Sequence, residues 1–228
     1  MSKKLIVVGL DCLEPSYAFE RWADHMPNLT KLRERGVFAR MRSTIPPITI
    51  PAWQCMVTGK DPGTLGMYGF RNRKDYSYDS FMFADGKMVR EPRVWDVLSR
   101  AGLNNIVLGV PQTWPPKPLK GCMVSGFPLP DTEGTWTYPA TLKNEIAEVC
   151  DYIPDVEDFR SDRKEEVLQN LIDMAHRRFE LAAHLLKTRP WDFFMMVEMG
   201  TDRIVHLLWR YTDRSEEHTS ELQSLRTI

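Results

Sequence analysis

The feature that most constrains the fold of this chain is an alternation of apolar, strand-like runs with helical segments. Residues 4–9, 105–110 and 191–198 are almost continuously apolar, as strands are when both faces of a sheet are covered. Apolar residues at helical spacing lie between these runs, and this pattern is longest over residues 162–187. The alternation predicts an α/β fold with a mainly parallel sheet and helices on both faces.

Two other stretches carry weaker signals. Residues 37–42 are short and contain Val, Phe and Met, which favours a strand. Residues 61–92 are rich in Gly, Tyr and Asp, and we interpret them as a loop-rich insertion, with a small hairpin, over the functional face of the sheet. The insertion is expected to belong to one domain that spans residues 1–213.

Charge balance and cysteine spacing limit the class of protein. With 30 Lys and Arg against 31 Asp and Glu among 228 residues, the chain lacks the basic excess of nucleic-acid and membrane-surface binders. No apolar run approaches the roughly 18 residues of a membrane span. The four cysteines form no C-x-x-C pair, so we expect free thiols rather than disulfides or a cysteine zinc site. These features predict a soluble cytoplasmic protein with no nucleic-acid or membrane partner.

Polar residues stand where predicted strands end and predicted helices begin. Asp11 follows the first strand directly, Thr49 starts a helix, and Asp202 and His206 follow the strand at residues 191–198. Open parallel sheets bind ligands beyond the carboxyl ends of their strands. A spacing of four residues puts the Asp202 carboxylate and the His206 imidazole on one helix face, as a metal pair requires.

Each of these residues also has an ordinary structural interpretation. An Asp after a strand often forms a turn or caps a helix, and for Asp11 alone this is as good an explanation as a functional one. Thr49 alone is more simply a helix N-cap. Asp202 and His206 alone are more simply a pair on a helix surface.

The order of local motifs along the chain favours the functional interpretation. The motifs are V-V-G-L-D at residues 7–11, T-I-P at 49–51, V-T-G-K at 57–60, P-G-T-L-G at 62–66, and D-R-I-V-H at 202–206 with Trp209 beyond it. Together they resemble the alkaline phosphatase superfamily, and within it the type I phosphodiesterase/nucleotide pyrophosphatase-like branch. The resemblance covers residues 4–213 and implies an alkaline phosphatase-like fold that is C-terminally incomplete.

The resemblance implies metal-dependent hydrolysis of small-molecule phosphoric esters, either phosphodiesters or nucleotide pyrophosphates. Thr49 would be the nucleophile and would form a phosphothreonine intermediate. Two divalent metal ions are implied, zinc in the first place and manganese as the alternative. Asp11 and Thr49 would bind one ion, and Asp202 and His206 the other. A phosphomutase or phosphomonoesterase on the same scaffold is the nearest alternative.

Other α/β enzyme families have signatures that this sequence lacks. A dinucleotide-binding fold requires G-x-G-x-x-G after the first strand, and an α/β-hydrolase requires G-x-S-x-G. A sulfatase, from the same superfamily as the resemblance, would need C-x-P-x-R or S-x-P-x-R. This chain has Thr49 and Trp53 at the two ends of that motif.

The C-terminal residues 214–228 differ in character from the rest. R-S-E-E-H-T-S-E-L-Q-S at residues 214–224 resembles the in-frame translation of a sequencing-library adapter, so we expect a non-native tail after Asp213. The resemblance also implies a later Asp-His pair and a final His as ligands, but His218 is the only histidine after His206. We therefore expect residues 1–213 to be the N-terminal part of a catalytic domain, and this chain to be inactive or a non-catalytic fragment. The sequence leaves the oligomeric state open.

Overall fold

Strands and helices alternate through residues 3–129 and 133–212, which are the residues described by this computed structural model. The strands are β1 (Leu5–Leu10), β2 (Arg71–Arg73), β3 (Phe81–Phe83), β4 (Asn105–Val110), β5 (Gly121–Ser125), β6 (Thr137–Tyr138) and β7 (Phe193–Glu198). The helices are α1 (Pro27–Arg35), α2 (Thr49–Thr58), α3 (Pro62–Leu65), α4 (Val94–Arg100), α5 (Leu142–Val149), α6 (Lys164–Thr188) and α7 (Gly200–Thr212). The predicted non-native tail, residues 214–228, lies outside the described residues.

Five strands form one sheet in the order β1-β7-β4-β5-β6, and β2 pairs with β3 in a separate hairpin. The strands β1, β7, β4 and β5 are parallel, whereas β6 is antiparallel to β5. The predicted α/β fold with a mainly parallel sheet is confirmed. The sequence does not predict β6, because a strand of two residues has no measurable periodicity.

Apolar side chains cover both faces of this sheet. In β7, Phe193, Met195 and Val197 belong to one buried cluster, and Phe194 and Met196 belong to a second. Since neighbouring residues of a strand point to opposite faces, the two clusters lie on opposite sides of the sheet. Residues of α2 and α4 join the first cluster, and residues of α5 join the second. Helices therefore cover both faces, as predicted.

The longest helix, α6, contributes to both clusters. Its first half supplies Val167, Leu171 and Met174 to the first cluster, and its second half supplies Leu181 and Leu185 to the second. The helix also packs against α7 and thereby supports the segment that follows β7. Neither α6 nor any other described helix combines the length and apolar character that crossing a membrane requires.

Strand β1 differs from the central strands because it lies at the edge of the sheet. Every residue of β4 and β7 is buried, whereas Leu5, Ile6 and Val8 of β1 are each about half exposed. The run is a strand, as predicted, but the expectation that both of its faces are covered is wrong. β1 is the outermost strand at this end of the sheet among the described residues.

Residues 37–42 form no strand, contrary to the sequence-based prediction. Val37 is 98% exposed and Met41 is 86% exposed. The Phe38 ring packs instead against Phe19 and against the guanidinium of Arg33. A high β propensity does not form a strand without a neighbouring strand to pair with its backbone, and none of the described strands lies alongside this segment.

Residues 61–92 contain little regular structure, as the sequence predicts. The segment includes α3 and the β2–β3 hairpin, so the small hairpin is present. The ring of Phe70 contacts that of Phe127 edge-on, with centroids 5.6 Å apart, and the Asp85 carbonyl accepts a hydrogen bond from Gln112 Nε2 at 2.9 Å. These contacts attach the segment to the loops after β4 and β5. Its placement over the functional face stays a prediction.

Candidate functional site

The carboxyl ends of β1 and β7 lie side by side at the candidate site. The two strands pair in register as far as Leu10 and Glu198. Beyond them, the Asp11 N–H donates to the Glu198 carbonyl at 3.0 Å, and the Thr201 hydroxyl donates to the Asp11 carbonyl. The turn after β1 is thereby fastened to the first turn of α7.

The Asp11 carboxylate accepts hydrogen bonds from two side chains of α2. Trp53 Nε1 donates to Oδ1 at 2.9 Å, and Thr49 Oγ1 donates to Oδ2 at 3.2 Å. Asp11 is only 6% exposed. Thr49 is the first residue of α2, and the capping position belongs to Ile48, which makes no side-chain capping bond. Thr49 therefore lies inside the helix and is not its N-cap, and its hydroxyl donates to the Asp11 carboxylate.

The Trp53 indole reaches Asp11 by lying directly against the backbone of β1. A Cβ atom at Gly9 would come within 2.3 Å of Trp53 Cη2, which is closer than real Cβ contacts allow. Gly9 provides the space for the ring, and the spacing of four residues brings Trp53 and Thr49 to the same face of α2. The Asp11 carboxylate is thus positioned by α2, which supplies both donors, and by β1, where Gly9 makes room for the indole.

Asp202 lies in the first turn of α7 and is only 4% exposed. Its Oδ2 accepts a hydrogen bond from Arg203 Nη1 at 2.6 Å, and its Oδ1 lies 3.6 Å from His206 Nε2. The His206 side chain is 44% exposed. The simple surface-pair interpretation is therefore wrong for Asp202, because its carboxylate is buried and ion-paired, while the imidazole faces solvent.

Arg203 is held by groups outside its own helix. Its Nε and Nη2 donate to the two carboxylate oxygens of Asp155, a bidentate arrangement that fixes the guanidinium plane. The guanidinium also lies over the rings of Phe127 and Phe159, 4.7 and 4.3 Å from their centroids. Because Arg203 is immobilised in this way, it holds the Asp202 carboxylate in one orientation.

Asp11, Cys12 and Asp202 bring potential metal-ligating atoms together. One carboxylate oxygen of each Asp and the Cys12 Sγ lie within 4.8 Å of one another. Cys12 is an exposed residue with a positive φ of 56°. All four cysteines are free thiols, as the sequence predicts.

The environment of these groups favours their neutral forms. Burial raises the pKa of the Asp11 carboxyl, the hydrogen bond from Trp53 opposes that rise, and the nearby Asp202 carboxylate adds to it. Cys12 is exposed as a residue, but its thiol is partly desolvated, which raises the thiol pKa to about 12, with further contributions from its hydrogen bond to Asp202 and from the Asp11 charge. Both shifts have the direction expected of a site with excess negative charge.

This donor set fits a divalent cation. Carboxylate oxygens and imidazole nitrogen are common ligands of zinc and manganese. Two buried carboxylates close together are costly unless positive charge compensates them. Arg203 compensates Asp202, but within the described part of the chain no Lys or Arg forms an ion pair with Asp11. The Arg203 charge also lowers the pKa of Asp11, but it is the weakest of the contributions, so a cation next to Asp11 would supply most of the compensating charge.

The sequence motifs do not identify Trp53, Arg203 or Cys12 as site residues. Trp53 carries a usable signal, because its spacing from Thr49 indicates a shared helix face. Arg203 and Cys12 stand next to Asp202 and Asp11 in the chain, but adjacency alone does not say where a side chain points. Their roles depend on contacts between distant segments, which the sequence does not display.

The chain matches a known family over nearly all of its length. The sequence profile of the type I phosphodiesterase / nucleotide pyrophosphatase family aligns with residues 5–225. The chain belongs to this family. Family membership confirms the resemblance to the alkaline phosphatase superfamily and supports phosphoric-ester hydrolysis of the phosphodiesterase or pyrophosphatase type on small phosphate esters.

Members of this family typically depend on metal ions, which agrees with the donor set around Asp11 and Asp202. The aligned range extends into residues 214–228, and the non-native origin of that segment stays a prediction. No curated protein and no solved structure matches the chain significantly.

Proposed function

We propose that this chain hydrolyses phosphodiesters or nucleotide pyrophosphates, with Thr49 as the nucleophile and two divalent cations as cofactors. The observation that carries the proposal is the environment of the Thr49 hydroxyl, which donates to the buried Asp11 carboxylate at the N-terminus of α2. Membership of the type I phosphodiesterase family supports the reaction class.

The N-terminus of α2 is suited to a phosphoryl group. The first N–H groups of a helix have no acceptor within it and lie at its positive end, so they favour phosphate oxygens. Pro51 stands in this first turn, where its missing N–H costs little. A phosphate at this position would be bound by the backbone and would face the Thr49 hydroxyl.

Asp11 and Thr49 would hold one cation, and Asp202 and His206 the other, with zinc as the first choice and manganese as the alternative. When bound, these ions supply Lewis acidity that favours the ionised hydroxyl and offsets charge on the phosphoryl oxygens. The neutral donors Thr49 and Trp53 hold the Asp11 carboxylate. The cationic donor Arg203 holds the Asp202 carboxylate. The fixed orientation of the two carboxylates reduces the reorganisation that binding requires.

The reaction divides into two steps. The Thr49 oxygen forms a bond to phosphorus, loses its proton, and displaces the alcohol or nucleotide group, whose oxygen takes up a proton. In the second step water attacks phosphorus of the phosphorylated Thr49, which still carries the other substituent of the substrate. The water oxygen bonds to phosphorus, the Thr49 oxygen leaves and takes up a proton from that water, and a phosphate monoester is released. Asp11 Oδ2 already accepts a hydrogen bond from the Thr49 hydroxyl, so it is the nearest acceptor for that proton.

A cavity beside His206 offers room for part of the substrate. It has a volume of about 290 Å³, and its charged lining residues are Arg160, Lys164 and Asp162, so the lining has a net positive charge. Positive side chains around such a cavity attract anionic phosphate esters. Family membership supports a small phosphate ester as substrate, and this charge agrees with one.

Phosphoryl transfer to Thr49 can be tested with bis-p-nitrophenyl phosphate and added zinc or manganese. We expect release of nitrophenol that depends on the metal, whereas no release would support the sequence-based prediction that this chain is inactive. Single-turnover conditions and mass spectrometry of the peptide containing Thr49 should detect the nitrophenyl-phosphoryl adduct. Thr49→Ala should abolish both the adduct and the release, and Thr49→Ser should retain part of them.

Thr58→Ala is the matched control for this experiment. Thr58 ends the same helix, and its hydroxyl donates to the Gln54 carbonyl. This variant should keep the activity of the unmodified chain. Nitrophenol release that is undiminished in Thr49→Ala would overturn the assignment of the nucleophile.

A further inference from the structure

Cys12 brings a thiol into a group of ligands that otherwise offers oxygen and nitrogen atoms. Its Sγ lies within 4.8 Å of a carboxylate oxygen of Asp11 and of one of Asp202. We propose that Cys12 is a further metal ligand, and that its sulfur biases this site towards zinc-type ions and against manganese and magnesium. The inference rests on the proposed function, because it concerns the same metal site.

Cys12 Sγ lies close enough to an Asp11 oxygen to join it on the cation assigned to Asp11 and Thr49, while Asp202 stays on the second cation. Ligand atoms that surround one zinc ion at about 2.0–2.3 Å lie within roughly 4 Å of one another, and the observed limit of 4.8 Å requires only a small contraction. Arg203 occupies one oxygen of Asp202 at 2.6 Å, while Trp53 and Thr49 bind Asp11 from α2. Each carboxylate oxygen has more than one lone pair, so these bonds still leave positions for a metal.

The chemical consequence of a sulfur ligand is selectivity. Thiolates favour softer ions such as zinc, whereas carboxylates, hydroxyls and water suit manganese and magnesium. Without Cys12, the ligands assigned to the cation at Asp11 are a carboxylate and a hydroxyl group, which discriminate less between zinc and manganese. The identity of the metal would then depend on one side chain directly after Asp11.

Cobalt substitution gives a direct readout of sulfur ligation. Cobalt(II) in place of zinc shows visible ligand-field bands at any protein site of this kind, and an intense near-ultraviolet charge-transfer band only when a thiolate binds it. We expect both kinds of band when cobalt is added to the full chain. Cys12→Ser should lose the charge-transfer band and keep the visible bands.

Two controls separate this site from other places where cobalt could bind. Cys55→Ser changes a partly exposed thiol on α2 that is not among the clustered ligands, and it should leave both kinds of band intact. Asp202→Asn should weaken cobalt binding as a whole. Cys12→Ala serves as a second variant if the serine variant folds poorly.

Competition with a chromophoric chelator measures the selectivity itself. The zinc affinity of Cys12→Ser should fall at least about 10-fold, because losing a direct ligand should cost at least as much as losing an outer-shell partner. The manganese affinity should change little. Visible bands without a charge-transfer band in the unmodified chain would overturn sulfur ligation and leave the proposed function intact. Failure of the chain to bind cobalt or zinc at all would overturn both proposals. Equal losses of zinc and manganese affinity would overturn the selectivity.

Discussion

Two buried arginines fasten residues 153–155 near the carboxyl end of β7, yet only one of them stands beside the candidate site. Arg178 of α6 donates to two backbone carbonyls of that segment and lies 3.5 Å from a Glu198 carboxylate oxygen. The other Glu198 oxygen accepts a hydrogen bond from the Gly200 N–H at 2.7 Å. This first centre is closed to solvent, because Glu198 Oε2, which has no hydrogen-bond partner, is buried against the Arg178 guanidinium.

Arg203 holds the same segment through Asp155 but binds Asp202 through a single carboxylate oxygen. The second Asp202 oxygen lies 3.6 Å from His206 Nε2, and the carboxylate stands in the group that includes Asp11. Buried arginine–carboxylate pairs therefore have two different roles in this chain. In the closed centre the pair stabilises a loop, and in the open centre it also orients a carboxylate that can still accept a ligand.

The largest effect is expected from Arg178→Met. This change removes the partner of the buried Glu198 carboxylate and the donor to the 153–155 carbonyls. Loss of one member of a buried ion pair typically costs about 3–5 kcal/mol of unfolding free energy. Urea denaturation should show a loss of this size, and added zinc should not restore it. Lys187→Met, at an exposed position near the end of α6, is the matched control and should change stability by less than about 0.5 kcal/mol.

Arg203→Met also breaks a buried ion pair, but its cost should lie near the lower end of the same range, about 3 kcal/mol, because Asp155, its second partner, is 25% exposed. Here zinc should recover part of the loss, because a cation bound to the folded state can compensate the Asp202 carboxylate. Thermal denaturation with and without zinc measures the difference between the two arginine variants. Equal recovery in both, or recovery in neither, would contradict the distinction between an open and a closed centre.

A third arginine–carboxylate pair, nearer the surface, should give the smallest effect. Glu145 of α5 binds Arg189 and His184. Burial alone would raise the pKa of Glu145, but the hydrogen bonds from Arg189 and His184 outweigh it and lower that pKa. A carboxyl group with a lowered pKa stabilises the folded state above its unfolded pKa of about 4.3 and loses that contribution as the pH falls through the folded value.

Glu145→Gln should therefore cost less than about 1 kcal/mol near neutral pH. Its melting temperature should approach that of the unmodified protein in acid, below the lowered pKa of Glu145. Melting curves recorded between neutral pH and pH values below about 4 test this trend. Glu148→Gln, on the exposed side of the same helix, should show no comparable dependence on pH. A difference that grows as the pH falls would contradict the sign of the shift.

Local patterns predict most of the fold. The predicted strand at residues 105–110 matches β4 residue for residue. The prediction fails for residues 37–42, where a strand would need a partner, and it misjudges the burial of β1, which depends on its position in the sheet. Pairing and sheet order are properties of the whole chain, so no short window of sequence contains them.

The candidate site divides in the same way. Motif order and sheet geometry predict that Asp11 and Asp202 approach one another, and they do. The hydrogen bond from Trp53 to Asp11 and the clamp of Arg203 on Asp155 join segments that are tens of residues apart. Their formation depends on which side of each helix faces the sheet, and this is decided by packing rather than by local spacing.

The contact between Gly9 and Trp53 restricts the order in which mutations can accumulate in this chain. Any larger residue at position 9 collides with the indole, so position 53 has to change first. Replacing the indole, however, removes the hydrogen-bond donor to Asp11. A single substitution at either Gly9 or Trp53 is therefore harmful. We expect the two residues to be inherited together wherever the site is kept.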